Sequence, residues 1–299
     1  MIDARADGVT RLSHIDTQCT IFGVDFTSAP SRRKAITVAV GSLQGRRLTV
    51  VRVDRLTDFP AFESFLQSPG PWVAGFDLPF GLPRELVTTL GWPTDWARLV
   101  AHTQRIGKDA FKLALNTIRE SRPFGARYIH RLGDGAASSS SPMKLVNPPV
   151  GLMHYEGAHR LLAAQLSVIP CRPTASDRIA LETYPGYLAR RVTRASYKKD
   201  GKEGATAQRR EARTQVVERL CKANQRANLI GDLTLDVSET LGQQCIDDGS
   251  GDTLDAVLCA VQAAVARRQL DAGDDRYGIP VGADPVEGWI ATVETQEMA

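Results

Sequence analysis

The chain has 299 residues, of which 42% are hydrophobic and 24% charged, with a formal net charge of +3. That is the composition of a globular protein with a real core, and it argues against a disordered or collagen-like chain. So small a net charge does not by itself predict nucleic-acid binding, so any basic surface must be local. The five cysteines (Cys19, Cys171, Cys221, Cys245, Cys259) are scattered and form no CxxC pair, which speaks against a disulfide framework or a zinc ribbon and predicts a reducing, cytoplasmic location. No run approaches the roughly 18 apolar residues of a membrane span, so no membrane partner is expected.

Residues 1–18 are polar, carry both charge signs and are expected to be a loose leader. Three strands are then predicted, at 20–26, 35–42 and 47–54. The last two flank Ser42–Arg46, whose glycine marks a hairpin loop. The first strand, Ile21-Phe22-Gly23-Val24, ends on Asp25 and is followed by Phe26, Thr27 and Ser28. A carboxylate ending a buried strand loses its hydration and needs a cation or a metal. Asp58 is placed to cap a short helix over 58–67 that carries Phe62, Phe65 and Leu66 on one face. Trp72–Phe76 is a further apolar run that ends on an aspartate, Asp77, before the turn-rich Leu78–Pro83.

Residues 84–175 break the pattern. Helical patches at 95–102, 108–120 and 155–166 alternate with a glycine-, alanine- and serine-rich linker at 133–141. So long a connection is read as an inserted, cap-like region. It is arginine-rich at Arg119, Arg122, Arg127 and Arg131, with Tyr128 and His130 interleaved. The strand pattern resumes at Arg178–Pro185, which carries Glu182. Helices are expected at 186–194 and 207–227, separated by the polar, basic Ser196–Thr206. A helix buried on most faces is expected at 252–270, with Asp252 and Asp255 on one face of its first turn. A short edge strand is expected at 287–293.

Asp25, Asp77, Glu182, Asp252 and Asp255 form the set that carries chemistry. Carboxylates gathered at close range push each other's pKa upward, and divalent cations resolve the conflict. Hard oxygen ligands suit Mg²⁺ or Mn²⁺, and two such ions can activate water and stabilise the leaving oxygen in phosphodiester cleavage. Each acid also has a simpler reading: a turn for Asp25 or Asp77, a salt-bridged strand end for Glu182, and a cap for Asp252 closed by Asp255. The basic stretch with Lys198, Lys199 and Lys202 is read either as a solvated face or as phosphate contacts near Glu182. His102, His154 and His159 are expected to be core or surface histidines. No nucleophile elbow, P-loop or dinucleotide fingerprint occurs at a strand–helix junction.

The ordered set GVDFTSAP, GFDLPFGLP, ETYPGYLARR with its following SYK, DTLDAVLCAVQAA and EGWI resembles the family called domain of unknown function 429, which is predicted to be a nuclease with a ribonuclease H-like fold. The acid layout also looks like that of the Holliday-junction resolvases. The resemblance implies an α/β fold whose mixed five-stranded sheet is flanked by helices. Its first three strands form an antiparallel meander and two more run parallel to the first. It further implies a single domain over 19–299, with 84–175 inserted. The function implied is a two-metal nuclease with Asp25, Asp77, Glu182 and Asp255 as catalytic residues. Asp252 joins them on the metals, and Lys198, Lys199, Arg127, Thr27 and Ser28 contact a nucleic-acid substrate. Sugar kinases and actin-like ATPases also place an aspartate on the first strand before small hydroxyl residues. A phosphotransferase or nucleotide-binding protein is therefore the alternative, and a non-catalytic nucleic-acid-binding module a further one.

Overall fold

The computed structural model describes residues 18–199, 206–221 and 230–294. All of the expected leader except residue 18, Lys202, and the end of the 207–227 helix beyond Cys221 lie outside the described residues. The chain builds one mixed sheet. Strand β1 (Cys19–Asp25) pairs antiparallel with β2 (Ile36–Gln44), which pairs antiparallel with β3 (Arg47–Leu56). On the other side of β1 lies the parallel β4 (Trp72–Asp77), and β6 (Arg178–Glu182) runs parallel to β4. This is the meander and the two parallel strands expected from the sequence.

The sheet nevertheless has seven strands, in the order β5-β6-β4-β1-β2-β3-β7. The two extra strands, β5 (Ser167–Ile169) and β7 (Thr234–Val237), lie at the edges. At three and four residues they are too short for a period-2 pattern to stand out from their surroundings. The predicted edge strand at 287–293 contributes only an isolated bridge, Ile290 to Glu182.

Helices cover both faces. On one, α1 (Phe59–Leu66) packs with α3 (Trp96–Ile106) and α6 (Val150–Ala163), so that Phe62, Trp96, Val100, Ala158 and Leu161 meet Phe22, Val24 and Phe76 of the sheet. Asp58 caps α1 as expected, accepting a hydrogen bond from the Ala61 N–H at 2.9 Å. The 84–175 stretch therefore supplies a covering layer of the sheet, through α3 and α6. A separate small core of Leu86, Leu99, Phe111, Leu115 and Tyr155 joins these helices to α2 (Arg84–Thr89) and α4 (Lys108–Ser121). The 133–141 stretch, expected as a linker, contains a helix instead, α5 (Leu132–Ala137). Its first turn is held by the carboxylate of Asp134, which accepts from the Arg131 N–H at 3.0 Å.

The opposite face carries α7 (Pro185–Arg190), α8 (Thr206–Cys221), α9 (Glu239–Asp247) and α10 (Asp252–Asp271), which share its core. α10 is buried along most of its length and crosses the middle of the sheet. Its close approach depends on two glycines opposite each other in the register, Gly23 of β1 and Gly75 of β4. A Cβ at Gly23 would overlap the backbone of Ala256 and Ala260, and one at Gly75 would run into the Cys259 carbonyl. Among the described residues no helix is long and apolar enough to cross a membrane.

A carboxylate triad at the candidate metal centre

Side chains alternate between the faces of a strand. On β1, Ile21, Gly23 and Asp25 face α10, whereas Phe22 and Val24 belong to the other core. On β4 the α10 side receives Val73, Gly75 and Asp77. Asp25 and Asp77 are register partners, so both carboxylates emerge on one face at the carboxyl ends of parallel strands. Seating α10 on Gly23 and Gly75 brings its first turn to the same point. One oxygen each from Asp25, Asp77 and Asp255 lies within 4.8 Å of the others, a group able to hold a metal ion.

Asp25 and Asp255 are buried and Asp77 is half-buried. Burial drives the pKa of Asp25 up to about 7; Lys34 and Lys198 oppose it, while Asp77 and Asp252 add to it. Asp77 is pushed up to about 6, again mainly by desolvation, with Lys198 lowering it and Glu182 raising it. The Oδ2 atom of Asp25 is buried with no hydrogen-bond partner, and its nearest cation, Lys34 Nζ, stands 3.8 Å away. The Asp77 carboxylate makes no hydrogen bond or ion pair among the described residues. An under-coordinated cluster of oxygen donors is what a hard divalent cation requires. The donor set therefore fits a metal ion of that class.

Two lysines balance part of this charge. Lys34, in the loop between β1 and β2, contacts Asp252 Oδ1 at 2.5 Å. Burial would lower its pKa, but Asp25 and Asp252 outweigh that and hold it above its ordinary value. Lys198 pairs with Asp255. The neighbouring Tyr197 hydroxyl donates to Asp255 Oδ1 at 2.7 Å, and burial keeps that phenol protonated by raising its pKa well above the usual value. Lys34 was not foreseen. Its only sequence signal is the basic run Arg32-Arg33-Lys34 directly after the turn that follows Asp25.

Glu182 corrects the expected set. Its register partner on β4 is Phe76, one residue short of Asp77. That offset turns its side chain to the face opposite α10. There Arg131 clamps it, donating from Nη2 to Oε1 at 2.6 Å and from Nη1 to Oε2 at 2.8 Å, while the Phe80 N–H donates to Oε2 at 2.8 Å. Asp252 also stays outside the triad, and Lys34 takes its carboxylate. It is not the helix cap either: Gly251 occupies that position without a side-chain hydrogen bond.

The remaining expected contacts are dispersed. Thr27 Oγ1 accepts from the Ala29 N–H at 3.5 Å, a turn contact, and Ser28 is buried beside it. Lys199 is exposed, and its carbonyl accepts from Arg209. Arg127 lies on an exposed loop with its guanidinium 5.6 Å above the Phe124 ring. His154 is buried with Nδ1 3.2 Å from the Pro79 carbonyl, a core histidine as expected.

No curated protein and no solved structure matches this chain. A family model does, over residues 23–275, a span that takes in the end of β1, the triad and all of α10. The chain belongs to the family described as protein of unknown function, DUF429.

Proposed function

We propose that the protein is a metal-dependent nuclease with a ribonuclease H-like fold, hydrolysing phosphodiester bonds at the Asp25–Asp77–Asp255 triad. The observation that carries the reading is the convergence of these three acids, from two parallel strands and one helix, within 4.8 Å. Bound there, Mg²⁺ or Mn²⁺ would supply an activated water and neutralise the charge on the leaving oxygen, the chemistry of a two-ion site. Asp25, whose buried Oδ2 has no hydrogen-bond partner, would be the first metal ligand in this reading. Asp77 and Asp255 complete the ligand set. Tyr197 holds the Asp255 carboxylate in place through its hydroxyl.

The lysines have a second task in this reading. Lys198, paired with Asp255, and Lys34, paired with Asp252 beside the triad, both have partly exposed side chains, so their ammonium groups would be the ones to meet substrate phosphates. Thr27, Ser28, Lys199 and Arg127 are the other positions offered to the substrate, with nucleic acid as the partner.

The test is cleavage of labelled branched, single-stranded and RNA–DNA hybrid oligonucleotides with Mg²⁺ or Mn²⁺. Wild type should cleave at least one of them, and a chelator should stop it. Asp25→Asn should lower the rate by more than about a hundredfold, beyond what losing a ligand's supporting hydrogen bond costs, with an unchanged circular-dichroism spectrum. Equal rates for wild type and Asp25→Asn, or no cleavage of any substrate with either metal, would overturn the reading.

A further inference from the structure

Outside the triad, the described surface holds an open concavity of about 550 Å³ lined by Arg119, Phe124, Gly125, Arg127, Tyr128 and His130. Its chemistry is unusual for a solvated loop. Phe124 is 92% exposed, so a large apolar ring is held in water with the Arg127 guanidinium over its face. Arg127 makes no ion pair among the described residues, whereas Arg122 is taken by Glu85 at 2.6 Å and Arg119 by Glu120 at 2.8 Å. Arg131, the fourth arginine of the run, is buried and unavailable to any ligand. The hollow thus offers a free ring face, an unpaired cation, and a phenol and an imidazole beside them. It contains no carboxylate of its own.

Its placement adds to this. His130 lines the hollow, and the next residue, Arg131, is clamped to Glu182 on the strand beside β4. One Cα step, one extended arginine and one strand spacing put the rim within roughly 20 Å of Asp77. The hollow is therefore tied through Arg131 to the strand end next to the triad, on the sheet face opposite α10.

We propose that this hollow is a base-stacking subsite for single-stranded nucleic acid. An unpaired nucleotide stacks its base on Phe124 or Tyr128 while Arg127 contacts its phosphate. Each nucleotide of a single strand supplies one flat face and one negative charge, which is the pairing of groups the hollow displays. A duplex hides its faces in the stack and presents only phosphates. The substrate class rests on the nuclease reading above, but binding at the hollow needs neither metal nor turnover.

The experiment is fluorescence anisotropy with the full-length protein in EDTA, using labelled oligo-dT and oligo-rU of about twelve nucleotides, within the usual site size of single-strand binders. Phe124→Ala and Arg127→Ala should each weaken binding about tenfold, toward the lower end of the range for a lost base–aromatic stack. Arg127→Ala should also flatten the log–log salt dependence by about 0.7, the value of one phosphate contact on a single strand. A blunt duplex of the same length should bind wild type and Phe124→Ala alike. Both substitutions are on an exposed loop, and circular dichroism checks that each variant is folded. Unchanged affinity in Phe124→Ala overturns the proposal, as does displacement of the oligonucleotide by an equal charge of poly-L-glutamate, which would mark a general anion patch. Weakened binding without any cleavage by wild type would sustain the subsite and sink only the nuclease reading. Cleavage with unaltered binding by both variants would do the reverse.

Discussion

Asp25 and Asp77 hold their protons more tightly folded than unfolded, because burial disfavours the charged form. At these two sites the folded metal-free protein therefore binds more protons than the unfolded chain between pH 4 and 7, whereas His154, whose pKa burial lowers to about 4, binds fewer. The contribution of the two aspartates to stability falls as pH rises through that window and levels off above it. It is read as the difference in melting temperature between wild type and Asp25→Asn from pH 4 to about pH 7.5 in EDTA. Asp25→Asn should flatten the slope, since it removes the group with the higher pKa. Saturating Mn²⁺ should oppose the trend, because metal and protons compete for the same oxygens. A wild-type-to-Asp25→Asn difference that stays constant from about pH 5 to 7.5 in EDTA would show that the Asp25 carboxylate is not desolvated as the structure has it.

At the level of elements, the site is made by two strand ends and one helix, and the helix reaches it only because β1 and β4 lack side chains under it. Gly23→Ala places a methyl into the backbone of Ala256 and Ala260, where nothing can yield without moving α10. Overpacking of this kind costs about 1–3 kcal/mol and sometimes more. Because α10 carries Asp255, the same change should weaken Mn²⁺ binding, read by calorimetry. Gly107→Ala is the control: its Cβ meets nothing, so its cost is confined to the backbone strain of a φ of 84° and leaves metal binding unchanged. Equal effects of the two variants on Mn²⁺ affinity would remove the role given to the close approach.

For the molecule as a whole, Arg131 is the tie between the 84–175 layer and the sheet. All five guanidinium N–H groups are used: Nε and Nη2 on Asp134, Nη1 and Nη2 on Glu182, and Nη1 again on the Glu287 carbonyl. Glu287 closes the arrangement by accepting from the Leu132 N–H at 3.0 Å and the Arg84 N–H at 2.8 Å. Arg131→Met leaves two buried carboxylates without a cationic partner and should cost about 3–5 kcal/mol in urea denaturation. Glu182→Gln should also destabilise the protein, yet leave the Mn²⁺ dissociation constant within about threefold of wild type, less than 1 kcal/mol. A tenfold or larger loss of Mn²⁺ affinity in Glu182→Gln would return this residue to the metal.

Much of this was legible in the residues alone. Alternating apolar runs located β1–β4, β6 and α1, and the dense Ala–Leu–Val stretch located α10, because burial on one or both faces leaves a period in the chain. Asp25, Asp77 and Asp255 stood out, together with Glu182 and Asp252, because carboxylates recur at matching places beside such runs. The edge strands β5 and β7 left too short a pattern to read. The Gly-Ala stretch that forms α5 looked like a linker because its ordering comes from the contact between Arg131 and Asp134, not from an apolar period of its own. Glu182 was the instructive miss: its distance from a turn matched that of the other acids, but its register against β4 was one residue short. Local pattern determines which residues prefer the interior and in what element. Which acids meet is decided by strand register and helix approach, and both depend on contacts between segments far apart in the chain.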